Sequence, residues 1–144
     1  MQHGGVSGFI DTHCHLSLLQ TRDLDPEVEL ARCCEEGFGA VIDVGVDLED
    51  FPVRAERARR WSGVWLSAGL YPSHAGRQDF HRWLPSAIKR LRTLLDHPRV
   101  CAIGELGFGR HWNYGSRELQ RQLVTPQVEL AREYGLPLIL HNRE

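Results

Sequence analysis

Short apolar runs alternate along the chain with amphipathic stretches, and this alternation predicts the order of its secondary structure. The clearest helical pattern is an apolar stripe at Leu84, Ile88, Leu91 and Leu95, spaced four, three and four residues apart. An aspartate followed by proline at Asp25-Pro26 predicts the start of another helix. The apolar runs predict strands at 8–13, 40–45, 64–70, 100–106 and 137–141, and the stretches between them predict helices at 26–36, 50–60, 84–95 and 119–134.

Strict alternation of strands and helices predicts βα units and a parallel sheet. Successive strand centres lie about 32 residues apart, which is a normal length for one βα unit. Eight such units would need about 258 residues, close to the ~250 of a complete (β/α)₈ barrel. The 144 residues therefore predict one α/β domain, an incomplete TIM-type (β/α) barrel with about five parallel strands and four helices.

Composition and charge narrow the class of protein. The net charge is −2 and 42% of the residues are hydrophobic, which excludes a polybasic binder. No apolar run approaches the ~18 residues of a membrane-spanning helix, so we expect no membrane partner. The first residues lack a basic region followed by an apolar one, and we therefore expect a cytoplasmic protein with reduced cysteines.

The segment Asp11-Thr12-His13-Cys14-His15 carries the strongest chemical signal. Residues two apart on a strand share a face, so His13 and His15 point the same way with Asp11 below them. Two imidazoles on one face can bind a divalent metal, and Asp11 can orient one of them from behind. Cys14 points to the opposite face, which favours packing over metal binding.

Two later strands end in residues of the same kind. Glu105 ends an apolar run between Gly104 and Gly107, where a buried carboxylate needs a partner or a metal and where glycine lets another group approach closely. His141 follows the last apolar run directly, and Arg143 beside it is suited to an anionic group such as phosphate. Strands of one parallel sheet deliver these side chains to one rim, where barrel enzymes carry their active sites.

In these segments the chain resembles the TatD-type metal-dependent deoxyribonucleases. The order and spacing of the motifs agree over essentially the whole chain, which corresponds to the first five-eighths of the family's barrel. The segments that carry the resemblance are Asp11-Thr12-His13-Cys14-His15, Gly69-Leu70-Tyr71-Pro72, Ile103-Gly104-Glu105-Leu106-Gly107 and Leu136-Pro137 through His141-Asn142-Arg143.

The resemblance implies a hydrolase that cleaves phosphodiester bonds of DNA with water activated by two metal ions. It implies that His13 and His15 hold the first ion, that Glu105 bridges both and is catalytic, and that His141 holds the second. Mixed histidine and carboxylate ligands suit magnesium, manganese or zinc, so the metal's identity stays open. The family adds a histidine after its sixth strand and an aspartate after its eighth, which the 144 residues do not contain.

The chain departs from the family pattern at three places. Tyr71 stands where many members carry histidine, so substrate contacts there can differ, with His74 a candidate substitute at the rim. After Gly107 many members continue with an apolar residue and an aspartate, but here Phe108 is followed by Gly109, so that carboxylate is absent. Thr125-Pro126 falls inside a helix that the family runs through, and we expect Thr125 to cap a new helix or Pro126 to bend the old one.

The remaining polar residues receive structural interpretations. Arg54, Arg57, Arg59 and Arg60 are expected on an exposed helix face that makes no contact with DNA. Trp112, in the loop after Glu105, is a candidate for stacking on a base.

Two other functions stay open. One is that of another amidohydrolase-like barrel hydrolase, whose first strand also carries two histidines. Many of those enzymes need a lysine that bridges the metals, but the only lysine in this chain, Lys89, falls in a predicted helix. Alternatively, the chain is a catalytically incompetent truncated product or an interaction module. Five parallel strands cannot close a barrel, so their unpaired edges predict self-association.

Overall fold

A computed structural model describes residues 8–110 and 113–143, and its centre is one parallel five-stranded sheet. The strands lie side by side in the order of the sequence, β1-β2-β3-β4-β5, and every neighbouring pair is parallel. This unreversed order belongs to a barrel rather than to a doubly wound sheet, so the predicted incomplete barrel is confirmed. The strands are β1 (Phe9–Cys14), β2 (Phe38–Asp43), β3 (Val64–Ala68), β4 (Val100–Gly109) and β5 (Leu138–Arg143).

Helices connect the strands, and the described residues hold one more α-helix than the four predicted. The additional helix is a single turn directly after β1, and it is too short for an apolar repeat to be recognised in the sequence. Asp25 caps the second helix by accepting a hydrogen bond from the Glu27 amide, as the sequence predicts. The helices are α1 (Leu16–Leu19), α2 (Pro26–Glu35), α3 (Phe51–Arg60), α4 (Phe80–Leu95) and α5 (Arg117–Tyr134).

The core lies between the sheet and the helices. Leu91 and Leu95 of the predicted stripe are buried, with Leu84 and Ile88 packed beside them. From the sheet, Leu66 and Ile103 are fully buried against these helices. The amphipathic pattern therefore identifies the face by which α4 packs.

The expected helix start at Thr125-Pro126 is wrong. α5 runs from Arg117 to Tyr134 as one helix with Pro126 inside it, and the Thr125 hydroxyl donates to the Arg121 carbonyl instead of capping. An interior proline costs ~3 kcal/mol. Leu123 and Leu130, both buried, flank Pro126 on the packed face of the helix, and this burial on both sides of the proline outweighs that cost.

The expectation of an exposed arginine face is wrong for half of its residues. Arg59 and Arg60 are exposed, but Arg54 and Arg57 are only 1% and 4% exposed. Arg54 lies 3.2 Å from the Asp43 carboxylate, which is itself fully buried at the end of β2. A buried partner of opposite charge therefore draws this part of α3 inward.

Both outer strands have one neighbour each. β1 pairs only with β2, and β5 pairs only with β4, within the part of the chain that the structure describes. Large apolar side chains are exposed along these edges, with Phe9 at 73%, Ile10 at 56% and Leu140 at 65%. None of the helices in residues 8–110 and 113–143 is long and apolar enough to cross a membrane.

Candidate metal centre

His13 of β1 and His15, which directly follows the strand, meet as their spacing of two residues predicts. The Nε2 atoms of His13 and His15 lie 3.3 Å apart, with their rings edge to face. At this distance the two nitrogens share a hydrogen bond when one of them carries the proton, and two unprotonated nitrogens so placed would offer their lone pairs to one point. Such a pair is suited to holding one cation.

The orientation of each histidine has its own cause. The Nδ1 atom of His15 lies 2.8 Å from the Val44 carbonyl, so it donates its proton there and leaves Nε2 unprotonated toward the site. Asp11 accepts a hydrogen bond from the backbone amide of His13 at 2.9 Å. Its carboxylate therefore contacts the backbone of the strand. The sequence suggests instead that this carboxylate orients one of the imidazole rings from behind. The role of Asp11 toward a metal stays a prediction.

Glu105 lies between His13 and His15 at the end of β1 and His141 of β5. Its side chain is 8% exposed, and its Oε2 atom lies 3.7 Å from His13 Nε2 and 3.5 Å from His15 Nε2. Its other oxygen, Oε1, lies 2.7 Å from His141 Nδ1. The structure thus brings together all four residues that the sequence proposes as ligands, and each carboxylate oxygen faces a different set of histidines.

Two glycines make this approach of β5 possible. Gly104 and Gly107 have positive φ of 150° and 148°, and a Cβ at either position would collide with the backbone of Ile139 or His141. The close approach inferred from the sequence is confirmed. Because glycine has no side chain, β5 can lie close against β4 at these two positions, and His141 then reaches Glu105.

The donor set fits a divalent cation. Two ligands about 2.0–2.1 Å from a tetrahedral zinc ion lie about 3.3–3.4 Å apart. One donor atom each from His13, His15 and Glu105 lies within 4.8 Å of the others, with the two nitrogens 3.3 Å apart. A cation is also an ordinary partner of a buried carboxylate that is surrounded by imidazole rings.

Tyr71 packs against His141, with ring centroids 4.7 Å apart. Its hydroxyl is 3.2 and 3.3 Å from the two ring nitrogens of His141, and its ring meets Tyr114 edge to face. Burial, together with a hydrogen bond to Tyr114, raises the pKa of the Tyr71 hydroxyl, so it stays protonated. Arg143 is exposed at the end of β5, and its charge acts on the Tyr71 hydroxyl.

A cleft of about 400 Å³ opens at this rim of the sheet. Glu105 and His15 line its floor, and Tyr71 and His74 line its wall. His74 stacks on Trp83 with a centroid distance of 5.0 Å and makes a 3.3 Å contact with the Val46 carbonyl. His74 therefore lies at the cleft but contacts none of the four candidate ligands.

Cys14 does not join the cluster. Its thiol donates to the Ile42 carbonyl, and burial raises its pKa to about 12, so it stays neutral. The interpretation of Cys14 as a packing residue agrees with this placement. Trp112, the candidate for base stacking, lies outside the described residues.

A buried pair of Asp43 and Arg54, which the sequence does not predict, lies beneath the site. The only signal in the sequence is an aspartate near the end of the second apolar run. The arginine itself cannot be distinguished from its exposed neighbours on α3 by pattern alone.

A sequence profile of the family described as "TatD related DNase" matches residues 10–144. The chain belongs to this family. A "3'-5' ssDNA/RNA exonuclease TatD" from Cronobacter turicensis is 33% identical over 122 residues, which are 85% of this chain and 44% of that protein. An "uncharacterized metal-dependent hydrolase YjjV" from Escherichia coli is 31% identical over 96% of this chain and 52% of its own length.

Solved structures give the same result for the fold. The crystal structure of the Escherichia coli TatD homologue YjjV superposes with a TM-score of 0.77 at 29% identity, over 94% of this chain and 51% of that one. A TatD family hydrolase from Entamoeba histolytica superposes with a TM-score of 0.76 at 19% identity, over 96% and 51% of the two chains, and supports the fold alone. The chain thus spans about half the length of the relatives it matches.

Proposed function

We propose that this chain forms the metal-binding part of a hydrolase that cleaves phosphodiester bonds of DNA with water activated by two divalent cations. The observation that carries the proposal is the arrangement around Glu105. One of its carboxylate oxygens faces His13 and His15 at the end of β1, and the other faces His141 of β5. A carboxylate held between two groups of nitrogen donors is the arrangement expected of a ligand shared by two ions.

His13, His15, Glu105 and His141 would hold divalent cations, which when bound would lower the pKa of a coordinated water and stabilise charge on the attacking and leaving oxygens. His15 keeps Nε2 free for the cation because its Nδ1 proton is held by Val44. Glu105 supplies negative charge in a place where only 8% of its side chain meets solvent, so water competes weakly with it. His13 and His141 complete the donors on the two sides of that carboxylate.

Substrate binding is proposed for the cleft beside these ligands. Arg143 is exposed at the end of β5, and a guanidinium there can hold a phosphate through two parallel hydrogen bonds. Tyr71, protonated beside His141, offers a hydroxyl donor, and His74 also lines the cleft. The Cronobacter turicensis relative is named for both single-stranded DNA and RNA, so both belong in the test.

The resemblance to the family also implies a further histidine and an aspartate on later strands. We therefore expect the isolated 144-residue chain to bind metal weakly and to cleave nucleic acid slowly. Loss of residues that only hydrogen-bond to the metal ligands already costs about 10–100-fold in metal affinity or activity, so loss of the ligands themselves should cost more. A version extended through those strands should be active.

The experiment compares the chain, an extended version and Glu105→Gln in each. Calorimetric titration with zinc and manganese measures binding, and release of nucleotides from end-labelled single-stranded DNA and RNA measures cleavage. We expect chelator-sensitive binding and, in the extended version, chelator-sensitive cleavage, both abolished by Glu105→Gln. Binding or cleavage that survives Glu105→Gln would contradict the proposed role of this carboxylate.

The alternative of an amidohydrolase with a bridging lysine has no support in the structure. Lys89 is exposed on α4, away from the cluster. We propose Glu105 for the bridging role instead, because its two carboxylate oxygens face different histidines. A chain that binds no metal in either version would favour the remaining alternative, an interaction module.

A further inference from the structure

A buried ion pair lies directly beneath the candidate metal centre. Arg54 of α3 donates from Nε to the Asp43 carboxylate at 3.2 Å. Its Nη2 atom donates both to the Asp43 carbonyl and, at 2.9 Å, to the Ser67 carbonyl. One guanidinium therefore joins the end of β2 to the neighbouring strand β3, and both charged residues are at most 1% exposed.

Asp43 extends this connection to β1. Its second carboxylate oxygen accepts a hydrogen bond at 3.0 Å from the amide of Leu16, the residue that follows His15. The next residue after Asp43 is Val44, whose carbonyl fixes the His15 ring and whose amide donates to Cys14 at 2.7 Å. The position of the His15 ring thus depends on where Asp43 holds the end of β2.

Ser67 extends the connection to β4. Its hydroxyl donates to the Gly104 carbonyl at 2.6 Å and accepts from the Gly45 amide at 3.1 Å. The Gly45 carbonyl in turn accepts from the amide of Glu105 at 2.9 Å. The part of β4 that carries Glu105 is therefore held by the same group of contacts.

These contacts leave little space for adjustment. A Cβ at Gly45 would lie 3.0 Å from the Arg54 Cζ and 3.1 Å from the Ser67 carbonyl, closer than ordinary packing allows. Buried ion pairs contribute little net stability compared with apolar residues of similar volume. Holding several strand ends at once requires the planar fork of arginine, because a lysine ammonium is a point charge without that geometry.

We propose that Arg54 and Asp43 are a positioning pair that fixes His15 and Glu105 relative to each other and thereby sets the affinity of the centre for divalent metal. This inference rests on the proposed metal-binding function. Neither residue touches the candidate metal position; both act through strand-end carbonyls and amides.

The test compares Arg54→Lys and Ser67→Ala with a matched control, Arg57→Lys. Arg57 lies three residues further along α3 and is 4% exposed, but its shortest ion pair, at 3.3 Å, is with Glu27 of α2. It approaches the Asp43 carboxylate only to 3.6 Å and holds no strand-end carbonyl. Zinc affinity is measured by competition with a chromophoric chelator, and the unfolding midpoint without metal is measured for each protein.

We expect Arg54→Lys and Ser67→Ala to weaken zinc binding by about 10–100-fold, the range known for residues that orient metal ligands. Arg57→Lys should lower the unfolding midpoint but keep zinc affinity near that of the wild type. If Arg54→Lys does not fold, Ser67→Ala carries the comparison. Loss of affinity that simply follows loss of stability across all three variants would overturn the proposal.

A second measurement separates this inference from the proposed function. In the metal-free protein, at a pH where the ring is neutral, nitrogen NMR reports which nitrogen of His15 holds the proton. We expect Nδ1 in the wild type and a mixture of both tautomers in Arg54→Lys and Ser67→Ala. A wild type that binds no zinc refutes the metal function alone, whereas an unchanged tautomer in both variants refutes the positioning role.

Discussion

Gly107 offers the sharpest test of how the centre is assembled. It lies opposite His141 in the register of β4 and β5, with φ of 148°. A Cβ added there would collide with the His141 carbonyl oxygen and would lie 3.0 Å from its carbonyl carbon. Gly107→Ala therefore forces β5 away from β4 at the point where His141 meets Glu105.

The cost has two parts. A residue other than glycine in this backbone region costs about 1–3 kcal/mol, and overpacking against fixed backbone typically costs about 1–3 kcal/mol more. The total, about 2–6 kcal/mol, is a large part of the ~5–15 kcal/mol that stabilises a typical domain. For a chain of this size the unfolding midpoint should fall by roughly 4–24 °C.

Gly37→Ala is the matched control. Gly37 also has a positive φ, 88°, but a Cβ there meets nothing within 4 Å, so only the backbone strain applies. Thermal unfolding followed by circular dichroism compares the two variants, and zinc titration at low temperature compares their metal binding. Gly107→Ala should be clearly less stable and should bind zinc more weakly. Equal midpoints and equal affinities would refute the idea that close strand approach places His141.

Three further outcomes follow from the structure. Burial lowers the pKa of His74 in the folded protein, so as the pH falls below about 6.5 the unfolded chain binds a proton at this histidine before the folded protein does. The wild type therefore loses stability between about pH 7 and 5. His74→Gln should lose less stability over the same range, measured by urea unfolding. Arg54→Ala should cost about 3–5 kcal/mol, because it removes the guanidinium hydrogen-bonded to the buried Asp43 carboxylate and leaves only Arg57, 3.6 Å away, whereas exposed Arg59→Ala should change stability by less than about 0.5 kcal/mol in the same denaturant assay. The chain should elute larger than its 16.4 kDa monomer on sizing, and Ile10→Lys on the β1 edge should reduce that size; a monomeric wild type would contradict the proposed self-association.

The strands and the candidate ligands could be predicted because both leave local signals. Five apolar runs at a regular interval specify the parallel sheet, and the residue that follows each run must lie at the same rim. His13, Glu105 and His141 occupy such places, although up to 128 residues separate them in the chain. Topology alone therefore brings them together, and no side-chain detail is needed to foresee their approach.

The errors arose where a contact distant in sequence outweighs a local preference. Pro126 has a strong local preference to interrupt a helix, but buried leucines on both sides keep α5 continuous. Arg54 and Arg59 lie on the same short helix and look alike in sequence. Only the fold reveals that one faces a buried aspartate on β2 and the other faces solvent.

The same distinction applies within the candidate centre. A metal ligand is visible in sequence because its chemistry is unusual for a strand end, but the groups that aim it are mostly backbone carbonyls, which every residue carries. The His15 ring is fixed by the Val44 carbonyl, and the Glu105 amide by the Gly45 carbonyl. Because any side chain at position 44 would supply that carbonyl, the sequence contains no trace of its role. Arg54 and Asp43 are the places where this backbone framework depends on particular side chains, and substitution there is the way to test the framework without altering a ligand.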